Sequence, residues 1–400
     1  MHKANFENKA RPKRLLALDI MRGITIAGMI LVNNPGSWGH IYPPLEHASW
    51  NGLTPTDLVF PFFMFIMGVS TYFSLRKFDF RLSGPAFMKI LWRTVVIFLI
   101  GMGIAWLSLT LRGWITNNLS LTEAMFSQFD NLRILGVMPR LAICYGIGSI
   151  VALLFHGSSR HISIVVAALL VIYSIILLTG NGFSFASDNI VAVVDRTILG
   201  ESHMYTDTVG GLTLKFDPEG LLSTLPSIAH MLIGFVVGGM LVKVKDNTLR
   251  INNLFILGAI LTFAGFLLDF GMPINKKIWS PTFVMTTCGL AASLLGLLIW
   301  IIDIKGYRSW CKFFEAYGIN PLFMYVFGAV ASIVVTYVKV PYAAGQNGLI
   351  SLKVWLYQEV WLPVSGGDET LASLLFAITF VLFTWIIGYL LYKNKIYIKI

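Results

Sequence analysis

The feature that most constrains this chain is a run of roughly twenty consecutive apolar residues that recurs about ten times along its length. Each run is long enough to cross the hydrocarbon core of a bilayer, roughly 30 Å at about 1.5 Å of helix rise per residue. A soluble fold cannot absorb so many. Of 400 residues 56% are hydrophobic and only 12% charged, and a soluble chain of this size has far more surface to cover with polar groups. The runs are continuous rather than alternating, which excludes a membrane β-barrel. The expected fold is therefore all-α, a polytopic transmembrane helix bundle.

Ten spanning helices are read, at about 15–34, 57–75, 90–110, 134–155, 161–179, 222–243, 251–270, 281–303, 317–338 and 371–392. Counting the connections alternately, nineteen Lys and Arg fall on the side of the N-terminus and eight on the other. Positive charge accumulates on the cytoplasmic side, so both termini are expected in the cytoplasm and the 35–56 and 180–221 loops outside. The same distribution, basic residues at helix ends, turns the net charge of +10 into an orientation signal rather than a nucleic-acid footprint. Residues 1–14 read as a basic cytoplasmic tail with no small-residue cleavage site before the first apolar run. No repeat, low-complexity tract or separate soluble domain is evident, so residues 1–400 are read as one integral-membrane domain. The aromatic sequence KVWLYQEVWLP, within 339–370, suits a short helix lying along the interface.

Three cysteines, Cys144, Cys288 and Cys311, are scattered and odd in number, which gives neither a disulfide framework nor a metal knot. No HExxH, paired His/Cys spacing, phosphate-binding loop or dinucleotide fingerprint occurs, and no metal is expected. The chemistry is concentrated instead in Asn33–Ser70, NNPGSWGHIYPPLEHASWNGLTPTDLVFPFFMFIMGVS. A connector between membrane helices has no need, at its centre, of a histidine (His47), two carboxylates (Glu46 and Asp57) and several amides without a single Lys or Arg. His47 is suited to proton transfer near neutral pH or to nucleophilic attack. Asp57 has two readings, which one carboxylate can combine: with Thr54 and Pro55 it forms a capping box at the start of the second helix, or it orients a histidine or a substrate amine. Asn33 and Asn34 end the first helix, either as turn residues or as an amide dipole for a developing oxyanion. Trp38 and Trp50 are interfacial anchors or a platform for a sugar ring, and Asn51 joins Trp50 among the candidate binding residues. His2, His156, His161 and His203 lie in termini or loops, and His230 sits alone on an apolar helix face as a core residue.

Charges at bilayer depth cost at least about 2.5–3.5 kcal/mol and face a cavity or a partner. Asp19 and Arg22, three residues apart on one face of the first helix, can pair; alternatively Arg22 reaches toward a phosphate. Arg93 sits near the inner end of the third helix, where it can snorkel. Arg140 follows Pro139 in the outer part of its helix, and Asp217 and Glu219 of the FDPEG sequence are its expected partners.

The stretch HASWNGLTPTDLVFPFFMFIMG resembles the signature of the heparan-α-glucosaminide N-acetyltransferase family of membrane acyltransferases. LDIMRGITIAGMILVN, MPRLAICY, FDPEG and KKIWSPTFVMTTCG are similar to further blocks of that family, in the same order, so the resemblance covers essentially the whole chain. It implies transfer of an acetyl group from cytoplasmic acetyl-CoA to a sugar amine across the membrane. The family's catalytic histidine falls on His47, its asparagine on Asn33, its DLVFP aspartate on Asp57, its helix arginine on Arg140 and its DPEG carboxylates on Asp217 and Glu219. Arg22 and Arg93 then become candidate holders of the CoA phosphates. The chain departs from the lysosomal members in lacking their luminal domain and extra first helix, and has NNPGSW where they have a glycine-rich turn. A bacterial-type protein of the inner membrane is expected, with an amino-sugar-like acceptor, acetyl-CoA as co-substrate, possible homodimerisation and no nucleic-acid partner. The competing classes are a proton-coupled transporter using His47 and Asp57 as relays, and a scaffold subunit of an envelope complex.

Overall fold

Each of the ten expected segments is helical in the computed structural model, which describes residues 15–127, 129–346 and 348–398. The N-terminal tail, with His2 and five of the basic residues counted above, lies outside the described residues. In chain order the long helices are α1 (Leu16–Val32), α2 (Val59–Leu75) and α3 (Gly84–Leu111). A short α4 (Leu121–Phe126) precedes α5 (Val137–Leu154) and α6 (Ser159–Thr179). The connection after α6 is structured, with α7 (Ile190–Leu199) and a hairpin of β1 (Thr206–Val209) and β2 (Leu212–Lys215). It leads into α8 (Thr224–Lys243), α9 (Asn247–Asp269) and α10 (Pro281–Ile299).

The last third holds α11 (Cys311–Ile319), α12 (Pro321–Tyr337), a second hairpin of β3 (Lys339–Gln346) and β4 (Leu349–Ser351), and α13 (Leu352–Trp355). A wider helical turn, Leu356–Trp361, joins α13 to α14 (Leu362–Val364), so KVWLYQEVWLP is helical as its composition suggests; α15 (Glu369–Lys393) follows.

Eight helical segments among the described residues are long and apolar enough to cross a membrane, and nine when α11 and α12 count as one span. The chain is thus a multi-pass helix bundle with slightly fewer uninterrupted spans than the ten read from sequence. Two local causes account for this. The first helix has only 17 residues. The ninth span is broken by 87° where Pro321 follows Asn320, since proline removes a backbone donor and restricts the residue before it. Asn320 satisfies the break by donating to the Ile396 carbonyl at 2.8 Å and accepting from the Ile398 N–H at 2.9 Å.

The helix pair that carries the candidate site is α2 with α8. Its close approach needs two glycines: a Cβ on Gly68 would lie 2.0 Å from the Met231 carbonyl, and one on Gly234 2.2 Å from that of Phe65. Small residues let backbones meet where lipid gives no hydrophobic drive between helices. The result fixes the start of α2, preceded by the short turn Pro55–Leu58 that bears Asp57, beside the start of α8, which follows Asp217 and Glu219.

Candidate active site

The site begins with a cap. Thr54, Pro55 and Asp57 form the expected capping box at the head of α2, with proline at its first turn. Asp57 Oδ2 accepts the backbone N–H groups of Ala48 and Thr54, both at 3.1 Å. Its other oxygen, Oδ1, lies 2.7 Å from His47 Nδ1. The two readings of Asp57 are therefore one: a single buried carboxylate closes the loop and orients the imidazole. In the tautomer that donates Nδ1–H to the carboxylate, Nε2 is the nitrogen with a lone pair.

A third group completes the cluster. Lys276 Nζ sits 3.3 Å from Asp57 Oδ1, 2.9 Å from His47 Nδ1 and 3.4 Å from Nε2. Burial pulls the Lys276 ammonium below the ordinary lysine range, against the opposing fields of Asp57 and Glu219. The α9–α10 turn that presents it is tightly built. Ile274 N–H donates to Asp269 at 2.6 Å, Ile278 N–H to Asn275 at 3.1 Å and Gly52 N–H to the Ile274 carbonyl at 2.7 Å. Lys277 reaches Asp207 on β1 at 2.6 Å. Trp279, at φ +52°, is held left-handed, an unfavourable conformation for a bulky residue that persists only when its surroundings fix it.

Beside this triad lies a second charged cluster. Arg133 forks onto Asp217, with Nε at 2.9 Å and Nη2 at 2.5 Å, and also reaches Glu219 at 2.5 Å. These carboxylates outweigh burial and hold the Arg133 guanidinium more basic than usual, and Arg133 in turn keeps Glu219 below the usual carboxylate range despite its burial. The ion pair expected for Arg140 thus belongs to Arg133. Arg140 is fully buried; it donates to the Gly220 carbonyl at 3.0 Å and to Ser223 Oγ, and its guanidinium lies 5.2 Å from the Trp279 ring centroid. It thus links the Gly220–Ser223 turn to Trp279, on the turn that carries Lys276.

Other expected site residues are dispersed. Trp50 is only 9% exposed; its indole donates to the Phe183 carbonyl at 2.7 Å and packs edge-on to Phe185 and Phe216. Buried in this core cluster, Trp50 has little ring surface left to meet a sugar, which corrects the platform reading. Asn51 accepts from Asn275 at 3.1 Å and ties the His47 loop to the Lys276 turn. Asn33 caps α1 and lines a cavity of about 300 Å³ with Asn34, Ser108 and Tyr325. Arg22 bonds Asp19 at 2.8 Å and Ser70 at 2.7 Å, and with Arg93 it lines a second cavity of about 240 Å³. The Arg93 guanidinium also lies 4.9 Å from the Tyr145 ring centroid. Further along α1, at the end remote from His47, a cleft of about 590 Å³ is lined by Leu16, Phe73, Asn247, Asp303 and three arginines, Arg76, Arg250 and Arg308. All three cavities share α1.

Lys276 and Arg133 were legible only as loop charges, and His40, which pairs with Glu369 at 2.9 Å, carried no signal at all. Among the described residues no group of three or more His, Cys, Asp and Glu is arranged to hold a metal ion.

Comparison with known proteins decides the family. Residues 14–267 match the family model of the heparan-alpha-glucosaminide N-acetyltransferase catalytic region. The chain belongs to this family. It is 30% identical to the human protein named heparan-alpha-glucosaminide N-acetyltransferase over 81% of this chain, and 30% identical to the mouse protein of the same name over 80%. The chain spans about half the length of these curated relatives, 54% of each. The matched region contains His47, Asp57, Arg133, Asp217 and Glu219, and Lys276 follows it.

Proposed function

We propose that the protein is a membrane N-acetyltransferase that takes acetyl from acetyl-CoA at the cytoplasmic face and delivers it to an amine, of the amino-sugar class, at the external face. The observation that carries this reading is the buried carboxylate Asp57 holding His47 at 2.7 Å with Lys276 alongside, in a chain of an N-acetyltransferase family. A carboxylate-oriented imidazole is the usual means of removing a proton from an attacking amine or of carrying an acyl group.

The three cavities along α1 suggest how donor and acceptor meet. From Leu16 to Asn33 the helix rises about 26 Å, a span that a soluble coenzyme must bridge with an extended arm. The cleft of about 590 Å³ is of the size of a ligand site; its guanidiniums would hold phosphates and its apolar wall a base. The thioester arm would pass Arg22 and Arg93 toward Asn33. Beyond it, His47 Nε2 takes the proton of the incoming amine, or receives the acetyl group and passes it on. Asn33 supplies an amide donor to the oxyanion, and the thiolate of CoA leaves readily, so orientation and a base suffice.

The decisive test is acetyl transfer to glucosamine by protein in vesicles, with labelled acetyl-CoA on the cytoplasmic face. His47→Ala abolishes transfer while leaving thermal melting unchanged, because His47 is exposed for 45% of its side chain. Full activity of this variant sinks the proposal. Flux of the amino sugar without consumption of acetyl-CoA identifies a transporter instead.

A further inference from the structure

In an acetyl-transfer centre, the group that demands an explanation is an amine already sitting where acetyl is handed over. Lys276 Nζ is 2.9 Å from one ring nitrogen of His47 and 3.4 Å from the other. No acceptor entering from solution would be expected to approach the imidazole more closely. The turn that holds Lys276 is fixed from both sides, by Asn275 on Asn51 at 3.1 Å and by Lys277 on Asp207 at 2.6 Å, so its backbone stays beside the His47 loop. What protects it is charge. The bridge to Asp57 at 3.3 Å favours the ammonium, which has no lone pair to attack with, while burial favours the amine.

We propose that Lys276 is a self-acetylation site of this protein, modified in cis when donor is bound and no acceptor amine is present. The inference rests on the acetyl-transfer reading above. In the step, the Nζ lone pair attacks the acetyl carbonyl of acetyl-CoA, an amide C–N bond forms and the C–S bond breaks. The proton lost from Nζ is taken by His47 and passed to the CoA thiolate, so amine and thioester become amide and thiol with no other reactant. Acetyl-Lys276 has no charge, so it releases Asp57 and fills the space beside His47. The modification therefore acts as a brake whose formation acceptor prevents by competing for the same acetyl group.

The groups that face Lys276 are His47 and Asp57 from the loop and cap before α2, Glu219 from the turn before α8, and Lys277 on its own turn. All but His47 and Lys277 are carboxylates, so acetylation is expected to rise with pH as the ammonium fraction falls.

The test is peptide mass spectrometry of the purified full chain after incubation with acetyl-CoA, with and without glucosamine, at two pH values. Glucosamine acetylation is measured on the same sample. Lys277 is the internal control, since it shares the turn and the solution but bonds Asp207. The expected result is acetyl on Lys276 at least about tenfold above Lys277, suppressed by glucosamine and reduced to the Lys277 level in His47→Ala. An unmodified Lys276 in protein that acetylates glucosamine overturns this inference and leaves the proposed function standing. Equal labelling of the two lysines, or labelling undiminished in His47→Ala, overturns it as ordinary chemical acetylation. Neither labelling nor transfer to glucosamine overturns both. Labelled Lys276 without transfer to glucosamine supports the inference and rejects only that acceptor.

Discussion

Replacing Asp57 by Asn keeps the volume of the side chain and removes its charge. The Asn carbonyl can take the place of Oδ2 and accept from Ala48 and Thr54, whose N–H groups lie at 3.1 Å. Its NH₂ then faces His47 Nδ1 and Lys276 Nζ, which now sit at 2.7 and 3.3 Å from a carboxylate oxygen. A donor opposite an ammonium is repulsive, and the imidazole must turn its lone pair toward the amide, so Nε2 carries the proton and ceases to be a base. A hydrogen bond to a charged group is worth about 1.5–3 kcal/mol, and each factor of ten in rate is about 1.4 kcal/mol. Loss of this one bond predicts a fall in kcat of about 10- to 100-fold, and the wrong tautomer deepens it toward the roughly 10⁴-fold seen when a triad carboxylate becomes an amide. Stability should fall by up to about 3–5 kcal/mol, because Lys276 loses its buried counter-ion as well as the cap. The assay is single-turnover transfer of labelled acetyl to glucosamine in vesicles, with thermal melting in the same lipid. Activity within threefold of the parent, at unchanged melting temperature, would refute the argument that Asp57 orients His47.

Arg133→Gln removes the partner of Asp217, which is fully buried, and of Glu219; a stability loss of about 3–5 kcal/mol is expected from stranding the pair. Arg133→Lys should recover little of it by thermal melting, because an ammonium cannot make the forked contact. Neutralising Arg76 and Arg308 in the cleft at the Leu16 end of α1 should raise KM for acetyl-CoA about tenfold or more for each hydrogen bond to phosphate that is removed, and leave KM for acetyl-pantetheine, which has no nucleotide, unchanged. An equal rise for both donors excludes a phosphate role. Burial raises the Asp195 carboxyl from its ordinary 3.8 to about 6, against the N–H groups of Leu222 and Leu221. A raised folded-state value stabilises the fold at acid pH, and that contribution is lost as pH climbs through about 6. Asp195→Asn should therefore leave melting at pH 4 unchanged and raise it at pH 8, by at most about 3 kcal/mol; a variant less stable at pH 8 would contradict this.

Much of the site is legible along the chain because its first contacts are local. Asp57 and His47 are ten residues apart, and Thr54, Pro55 and Asp57 announce a helix cap by their order alone. Trp50 is not legible, because a tryptophan in a polar loop looks the same whether its ring meets solvent or, as here, Phe185 and Phe216 from a loop far along the chain. Sequence order offers Arg140 the carboxylates that Arg133 holds. Both arginines precede the same short turn, and only their placement against it chooses between them.

By itself, the sequence determined that the chain crosses a membrane many times, since runs of some twenty apolar residues have no other stable environment and their backbone must bond within helices. It also singled out the loop before α2 as the candidate site, since polar groups are gathered there without a structural need for them. Only the tertiary structure decided the third member of the centre. Lys276 lies 229 residues from His47, and nothing in its surroundings along the chain separates it from Lys277. Local sequence fixes helices and caps through contacts a few residues apart. Which of two neighbouring lysines faces a histidine is fixed by the packing of α2, α8 and α10 and by the turn that Trp279 locks.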